Sequence, residues 1–210
     1  MNRKVRWGIL GCASIAKQRV IPGLLQAENA ELYAVASRGA KKRSEMTDLF
    51  QVDIFYDSYE GLLEDENVDA VYIPLPNALH FEWVKKAAKA GKHILCEKPM
   101  ALCAQEAEEM FSTCEKERVL LMEAFAYRHA PLIQTVKKEI ESGKIGEVKY
   151  VESHLTDVLT DMGNIRMNAA LGGGAFYDMA CYNINAISYL LGFQKPTAVK
   201  ALLRWIKLAV

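Results

Sequence analysis

Along the first 122 residues, short apolar runs at 5–10, 32–36, 70–73, 93–96 and 119–122 alternate with longer amphipathic stretches. Each run is about the length of a buried strand, and none shows the polar alternation of a half-exposed one. Between them, segments such as 79–90, with Phe81, Val84 and Ala88 set among lysines, and 104–117 repeat their apolar positions at helical spacing. Strands alternating with helices predict right-handed βαβ units, hence an α/β fold built on a doubly wound parallel sheet.

The pattern changes near residue 124. A helix is predicted over 131–142, with Gly143 and Gly146 as its exit, then a long alternating strand over 147–155 and a helix over 175–191. The expected division is therefore 1–123 and 124–210. A lone strand leaves its backbone groups unpaired on both sides, so the second unit reads as an incomplete α/β domain, C-terminally truncated or dependent on a partner.

Charge narrows the partners. Lys and Arg total 26 and Asp and Glu total 26, which excludes a bulk attraction to nucleic acid or to an anionic membrane. No apolar run approaches the ~18 residues of a membrane span. Five cysteines with no CxxC pair suit free thiols in a reducing compartment, so a cytoplasmic location is expected, with no metal site.

The first run leads into the stretch GILGCASIAKQ, where Gly11, Ala13 and Ala16 occupy the positions of a G-x-G-x-x-G/A turn. Between a strand and a helix, such a turn aims backbone amides and a helix dipole at whatever lies above it, which suits a pyrophosphate. A tight turn with no ligand is the alternative. After the second run the chain offers Ser37 and Arg38, with Lys42 and Arg43 one turn on, where an NAD site would place a carboxylate. A guanidinium and a hydroxyl favour the 2'-phosphate of NADP, though NAD and an ordinary basic helix start remain open.

Ligands of such sheets bind beyond the carboxyl ends of the strands. Lys98, in HILCEKPMA, stands at one end, and Asn77 and His80 stand just past its neighbour. A surface ion pair of Glu97 with Lys98, and a helix cap at Asn77, are the plainer readings. Farther on, Gly172, Gly173 and Gly174 allow a close backbone approach, and Asp178 and Tyr182 lie four apart on one helical face.

The glycine turn, EKP at 97–99, EAFAYR at 123–128, NIR at 164–166 and GGGAFYDMACY at 172–182 together resemble the Gfo/Idh/MocA family of oxidoreductases. Within that family they look most like the branch of glucose-fructose oxidoreductase and dihydrodiol dehydrogenase. The resemblance implies an N-terminal Rossmann domain that binds NAD(P), and a second domain whose open sheet shapes the substrate site and a homo-oligomer interface. It implies Lys98, Asp178 and Tyr182 as catalytic residues. Around the cofactor it implies Gly11, Cys12, Ala13, Ser14, Ile15, Ser37, Arg38, Lys42, Leu75, Asn77, His80, Glu97 and Lys98. Arg128, His154 and Arg166 are candidates for the substrate, a sugar, polyol or cyclic diol. In that setting Tyr182 would carry the proton, with its pKa lowered by the Lys98 ammonium. The expected function is an NADP-dependent oxidoreductase acting on a CH–OH or C=O group. The alternatives are a regulatory module that binds NADP(H) without chemistry and an inactive fragment; the presence of all three catalytic candidates favours the enzyme.

Overall fold

The apolar runs pair side by side as parallel strands. A computed structural model describes residues 3–52 and 54–202, and orders the strands β3-β2-β1-β4-β5-β6. They are β1 (Val5–Leu10), β2 (Ala30–Ala36), β3 (Ile54–Tyr56), β4 (Ala70–Ile73), β5 (His93–Cys96) and β6 (Leu121–Glu123). The direction of winding reverses between β1 and β4, where Gly8 pairs with Val71 and Ile9 with Tyr72. A doubly wound sheet opens its ligand crevice at that reversal.

Successive side chains leave a strand on opposite faces, and the core divides accordingly. Leu10, Ala34, Ala36, Val71, Ile73, Ile94 and Cys96 pack on one face. They meet the helices α3 (Tyr59–Glu64), α4 (His80–Lys89) and α5 (Ala104–Lys116) through Leu62, Val84, Ala87, Ala88 and Met110. On the other face Ile9, Val35 and Tyr72 meet Ala16, Ile21 of α1 (Ile21–Gln26) and Met46 of α2 (Ala40–Phe50). Covering on both sides is why these strands read as unbroken apolar runs.

Two helices follow the sheet, α6 (Pro131–Glu141) and α7 (Cys181–Leu190), the latter entered through a π-helical turn at Phe176–Ala180. Lys137 donates to the Tyr189 carbonyl at 3.0 Å, and Gln134 to the Tyr189 hydroxyl at 2.9 Å, which joins α6 to α7.

Two expectations need correction. The strand predicted at 147–155 does not form: the segment has no regular structure and its residues are mostly exposed. Its alternation is real, but among the described residues no strand lies beside it, so its backbone groups have no ladder to join. The short edge strand Ile54–Tyr56 went unread, because three residues are too few to show a period. The terminal RWIKLAV lies outside the described residues.

No helix among the described residues is long and apolar enough to cross a membrane.

Gly8 sets how closely α3 approaches the sheet: a Cβ there would stand 2.5 Å from Leu62 Cδ2 and 3.2 Å from Val68 Cγ1. Gly8→Val is therefore expected to destabilise the chain by about 1–3 kcal/mol through overpacking. In urea unfolding the midpoint should fall while the slope stays unchanged.

Candidate active site

The glycine turn begins at Gly11, whose φ of +101° no residue with a Cβ adopts comfortably. Its amide donates to the Ala36 carbonyl at 2.8 Å, which pins the turn to β2. The helix that follows starts at Ser14 and passes through a π-helical turn at Ala16–Val20. Ala16 is wholly buried, so that helix lies close on the sheet, while Ser14 and Ile15 remain exposed at its open end. Cys12 is buried beneath; burial pushes its thiol up, against a hydrogen bond from Ser37 and the charges of Lys42 and Lys17.

Ser37 ends β2, almost fully buried, with its amide donating to the Tyr56 carbonyl at 3.0 Å. Arg38 and Lys42 are exposed beside it. The Arg38 charge acts on Tyr59 and that of Lys42 on Cys12, so both cations stand at the turn. The Arg43 side chain lies outside what the structure describes.

A cleft of about 460 Å³ opens over the turn. Ala13, Ser14, Ile15, Leu75, Asn77, Glu97 and Lys98 line it from the sheet, and Arg166, Leu171, Gly173, Asp178 and Tyr182 from the opposite wall. At its floor, the Lys98–Pro99 peptide is cis. The fully buried Tyr72 hydroxyl donates to Glu97 Oε1 at 2.5 Å, and the Lys98 amide to Glu97 Oε2 at 3.2 Å. This brace was not foreseen, although a tyrosine in a wholly apolar strand signals a phenol in need of a partner.

Lys98 Nζ donates to Asp178 twice, to the backbone carbonyl at 2.8 Å and to Oδ1 at 3.1 Å. It also stands 4.5 Å from the centre of the Tyr182 ring. Arg166 Nε holds the other carboxylate oxygen, Oδ2, at 2.9 Å. Burial opposes ionisation of Asp178, yet Lys98 and Arg166 keep its carboxyl below the usual range. Lys98, Asp178 and Tyr182 thus meet in one cluster.

The expected lowering of the Tyr182 pKa is corrected. Burial pushes the phenol up to about 12, with Glu97, Cys181 and Asp178 adding to the shift and Arg166 opposing it. Desolvation of the phenol is the largest cause, and the Lys98 ammonium faces the ring as a cation–π contact.

Gly11, Cys12, Ser37, Arg38 and Lys42 stand at the turn outside the lining of this cleft, and three further candidates lie elsewhere. His80 is fully buried, with Nδ1 2.9 Å from the Pro99 carbonyl and Nε2 2.8 Å from that of Leu75; burial favours the neutral ring, whose single N–H donates to one of the two. Arg128 donates to Asn185 Oδ1 at 2.9 Å and stacks near Phe125, Tyr189 and Phe193. His154 is exposed and pairs with Glu152 at 2.8 Å. Neither Arg128 nor His154 lines the cleft.

Asn77 donates to the Gly172 carbonyl at 2.7 Å, joining the two walls. A Cβ on Gly172 would stand 2.8 Å from Asn77 Cβ, and one on Gly173 2.5 Å from the Arg166 carbonyl oxygen. That is the close approach the glycine run predicts. No cluster of three or more potential metal ligands occurs among the described residues.

A crevice at the winding reversal, floored by a glycine turn, defines a dinucleotide-binding protein of Rossmann type. Residues 5–125 match the model of the oxidoreductase family with an NAD-binding Rossmann fold, Gfo/Idh/MocA, and 133–207 match that family's C-terminal domain. The chain belongs to this family.

Among its relatives, D-xylose 1-dehydrogenase (NADP(+)) 2 of Haloferax volcanii is 43% identical over 89% of this chain and 57% of its own length. The dTDP-3,4-didehydro-2,6-dideoxy-α-D-glucose 3-reductase of Actinomadura kijaniata is 38% identical over 90% of this chain and 56% of its own. The crystal structure of KijD10, a 3-ketoreductase from Actinomadura kijaniata in complex with NADP and TDP-benzene, superposes with a TM-score of 0.85 at 38% identity. That match covers 90% of this chain and 58% of the other. The chain spans about half the length of the curated relatives it matches.

Because the folded pKa of Asp178 lies below its unfolded value, its pairing stabilises the fold above the ordinary carboxylate range and fades as pH falls through the folded value. Asp178→Asn should accordingly cost most stability at neutral pH. The gap from wild type should close in acid, as read by denaturant unfolding at pH 7 and pH 3.

Proposed function

We propose that the chain forms the cofactor-binding and catalytic part of an NADP-dependent oxidoreductase, acting between the CH–OH and C=O states of a sugar, polyol or cyclic diol. Residues 1–123 serve as the cofactor domain, and 124–210 begin the part that shapes the substrate site. The observation that carries this reading is the Lys98, Asp178 and Tyr182 cluster set across the same cleft as the glycine turn.

The residues around the turn fit the cofactor. The exposed first helical turn after Gly11, beginning at Ser14, presents amides to a pyrophosphate. Arg38 and Lys42, beside the buried Ser37, supply cations suited to a 2'-phosphate. The NADP named for the Haloferax dehydrogenase and for the KijD10 complex supports the same assignment.

When bound, the nicotinamide donates or accepts the hydride. Everything else falls to the protein. With its pKa at about 12, Tyr182 holds its proton at neutral pH, and so stands ready to protonate the oxygen of a carbonyl under reduction. In the oxidative direction the same oxygen takes the alcohol proton only after giving its own to solvent, so a pKa of about 12 favours reduction near neutral pH and oxidation in alkali. The Lys98 ammonium, held by Asp178, stabilises negative charge on the reacting oxygen. The five unpaired cysteines support a cytoplasmic setting.

Calorimetric titration of the chain with NADP+ and NAD+ tests the cofactor assignment. Replacing Arg38 and Lys42 together by alanine should weaken NADP+ binding by about tenfold to a hundredfold, since each charge-assisted hydrogen bond contributes about 1.5–3 kcal/mol before solvent screening. NAD+ affinity should move less than about threefold. Equal binding of both cofactors by wild type would remove the NADP reading. Tyr182→Phe should bind NADP+ as wild type does but lose about 100-fold or more in turnover.

A further inference from the structure

Resting on the catalytic reading above, we propose that Arg166 is a positioning residue: it fixes the Asp178 carboxylate, and through it the Lys98 ammonium, without touching the reacting atoms. The sequence suggests a substrate contact at Arg166, but the geometry points elsewhere. The two oxygens of Asp178 are divided between two cations, Oδ1 to Lys98 Nζ at 3.1 Å and Oδ2 to Arg166 Nε at 2.9 Å. A carboxylate held at one oxygen alone is free to swing about its χ2 bond, a broad and nearly two-fold torsion. Held at both, it presents a fixed acceptor, and Lys98 is kept over the Tyr182 ring.

The turn that delivers Arg166 is itself built for placement. Asn164 Oδ1 caps it, accepting from the Arg166 amide at 3.1 Å and lying 3.4 Å from Arg166 Nη1. The Arg166 carbonyl accepts from the Gly174 amide at 2.8 Å, and Gly173 packs beneath that carbonyl, where a Cβ would stand 2.5 Å away. Gly172 is tied to Asn77 on the other wall. Arg166 is thus fastened to the segment that leads into Asp178 and, through Gly172, to the floor that carries Lys98. Its side chain is 48% exposed, against 21% for Asp178 and 10% for Lys98. It therefore acts from the rim inward. The charged groups around the cluster are Lys98 and Glu97 from the sheet edge, Arg166 from its turn, and Asp178 with the Cys181 thiol from the α7 segment.

Arg166→Gln and Arg166→Lys in this chain test the assignment, with D-xylose and NADP+ as the probe pair. The glutamine variant should bind NADP+ within about twofold of wild type, and lose about tenfold in kcat with KM within about twofold. The lysine variant should recover most of kcat. A readout without turnover is the ¹³C carboxyl resonance of Asp178, assigned with Asp178→Asn. Its titration midpoint should rise by about one pH unit in the glutamine variant and return toward wild type with lysine. A rise in KM with kcat unchanged would make Arg166 a substrate contact and overturn the proposal, as would an unmoved carboxyl midpoint. If wild type turns over no sugar or diol while the midpoint still moves, the oxidoreductase reading fails and the coupling of Arg166 to Asp178 stands.

Discussion

One ammonium group ties the two halves of this molecule together at the place where chemistry is expected. Lys98 rises from the carboxyl edge of the sheet and ends on a carbonyl and a carboxylate of the segment leading into α7. A lysine so little exposed must have its charge met locally, because water no longer does so. Around it, the requirement spreads outward. Asp178 must be ionised, so it takes a second cation from Arg166; that cation needs a shaped turn, and the turn needs glycines beneath it.

Below the lysine a second chain of dependence runs into the core. Tyr72 belongs to the central strand β4 and is wholly buried, yet its hydroxyl reaches Glu97 on the neighbouring segment. That burial and the carboxylate beside it push the phenol well above the ordinary tyrosine range, so Tyr72 remains a donor. Glu97 in turn receives the Lys98 amide. The orientation of the lysine backbone is thus set from inside the sheet, and that of its ammonium from the opposite wall.

Much of this was legible in the chain, for physical reasons that differ by region. The parallel sheet was readable because strands covered on both faces are apolar throughout, as at 70–73, and because Gly11 marks a turn that demands a positive φ. Lys98, Asp178 and Tyr182 stood out as polar groups at strand ends or on a helical face that other residues could already fill. What stayed hidden were pairings over long separations: Tyr72 with Glu97, Arg166 with Asp178, and His80 with two carbonyls have no local spacing that announces them. The strand read at 147–155 shows the opposite limit, since alternation describes a face and says nothing of whether a neighbour exists to pair with it.

His80 has a mechanical meaning beyond its burial. One imidazole bridges the carbonyls of Leu75 and Pro99, which belong to loops leaving adjacent strands, β4 and β5. The rim that carries Leu75 and the rim that carries Lys98 are therefore packed against one shared ring, which donates to one carbonyl when neutral and to both when protonated. The opposite wall, which carries Arg166 and the glycine run, reaches the cleft floor through Asn77 at the Gly172 carbonyl, Lys98 at Asp178 and the Tyr177 hydroxyl at the Leu102 carbonyl. Parting the two walls would break these hydrogen bonds and separate the Lys98 ammonium from the Asp178 carboxylate.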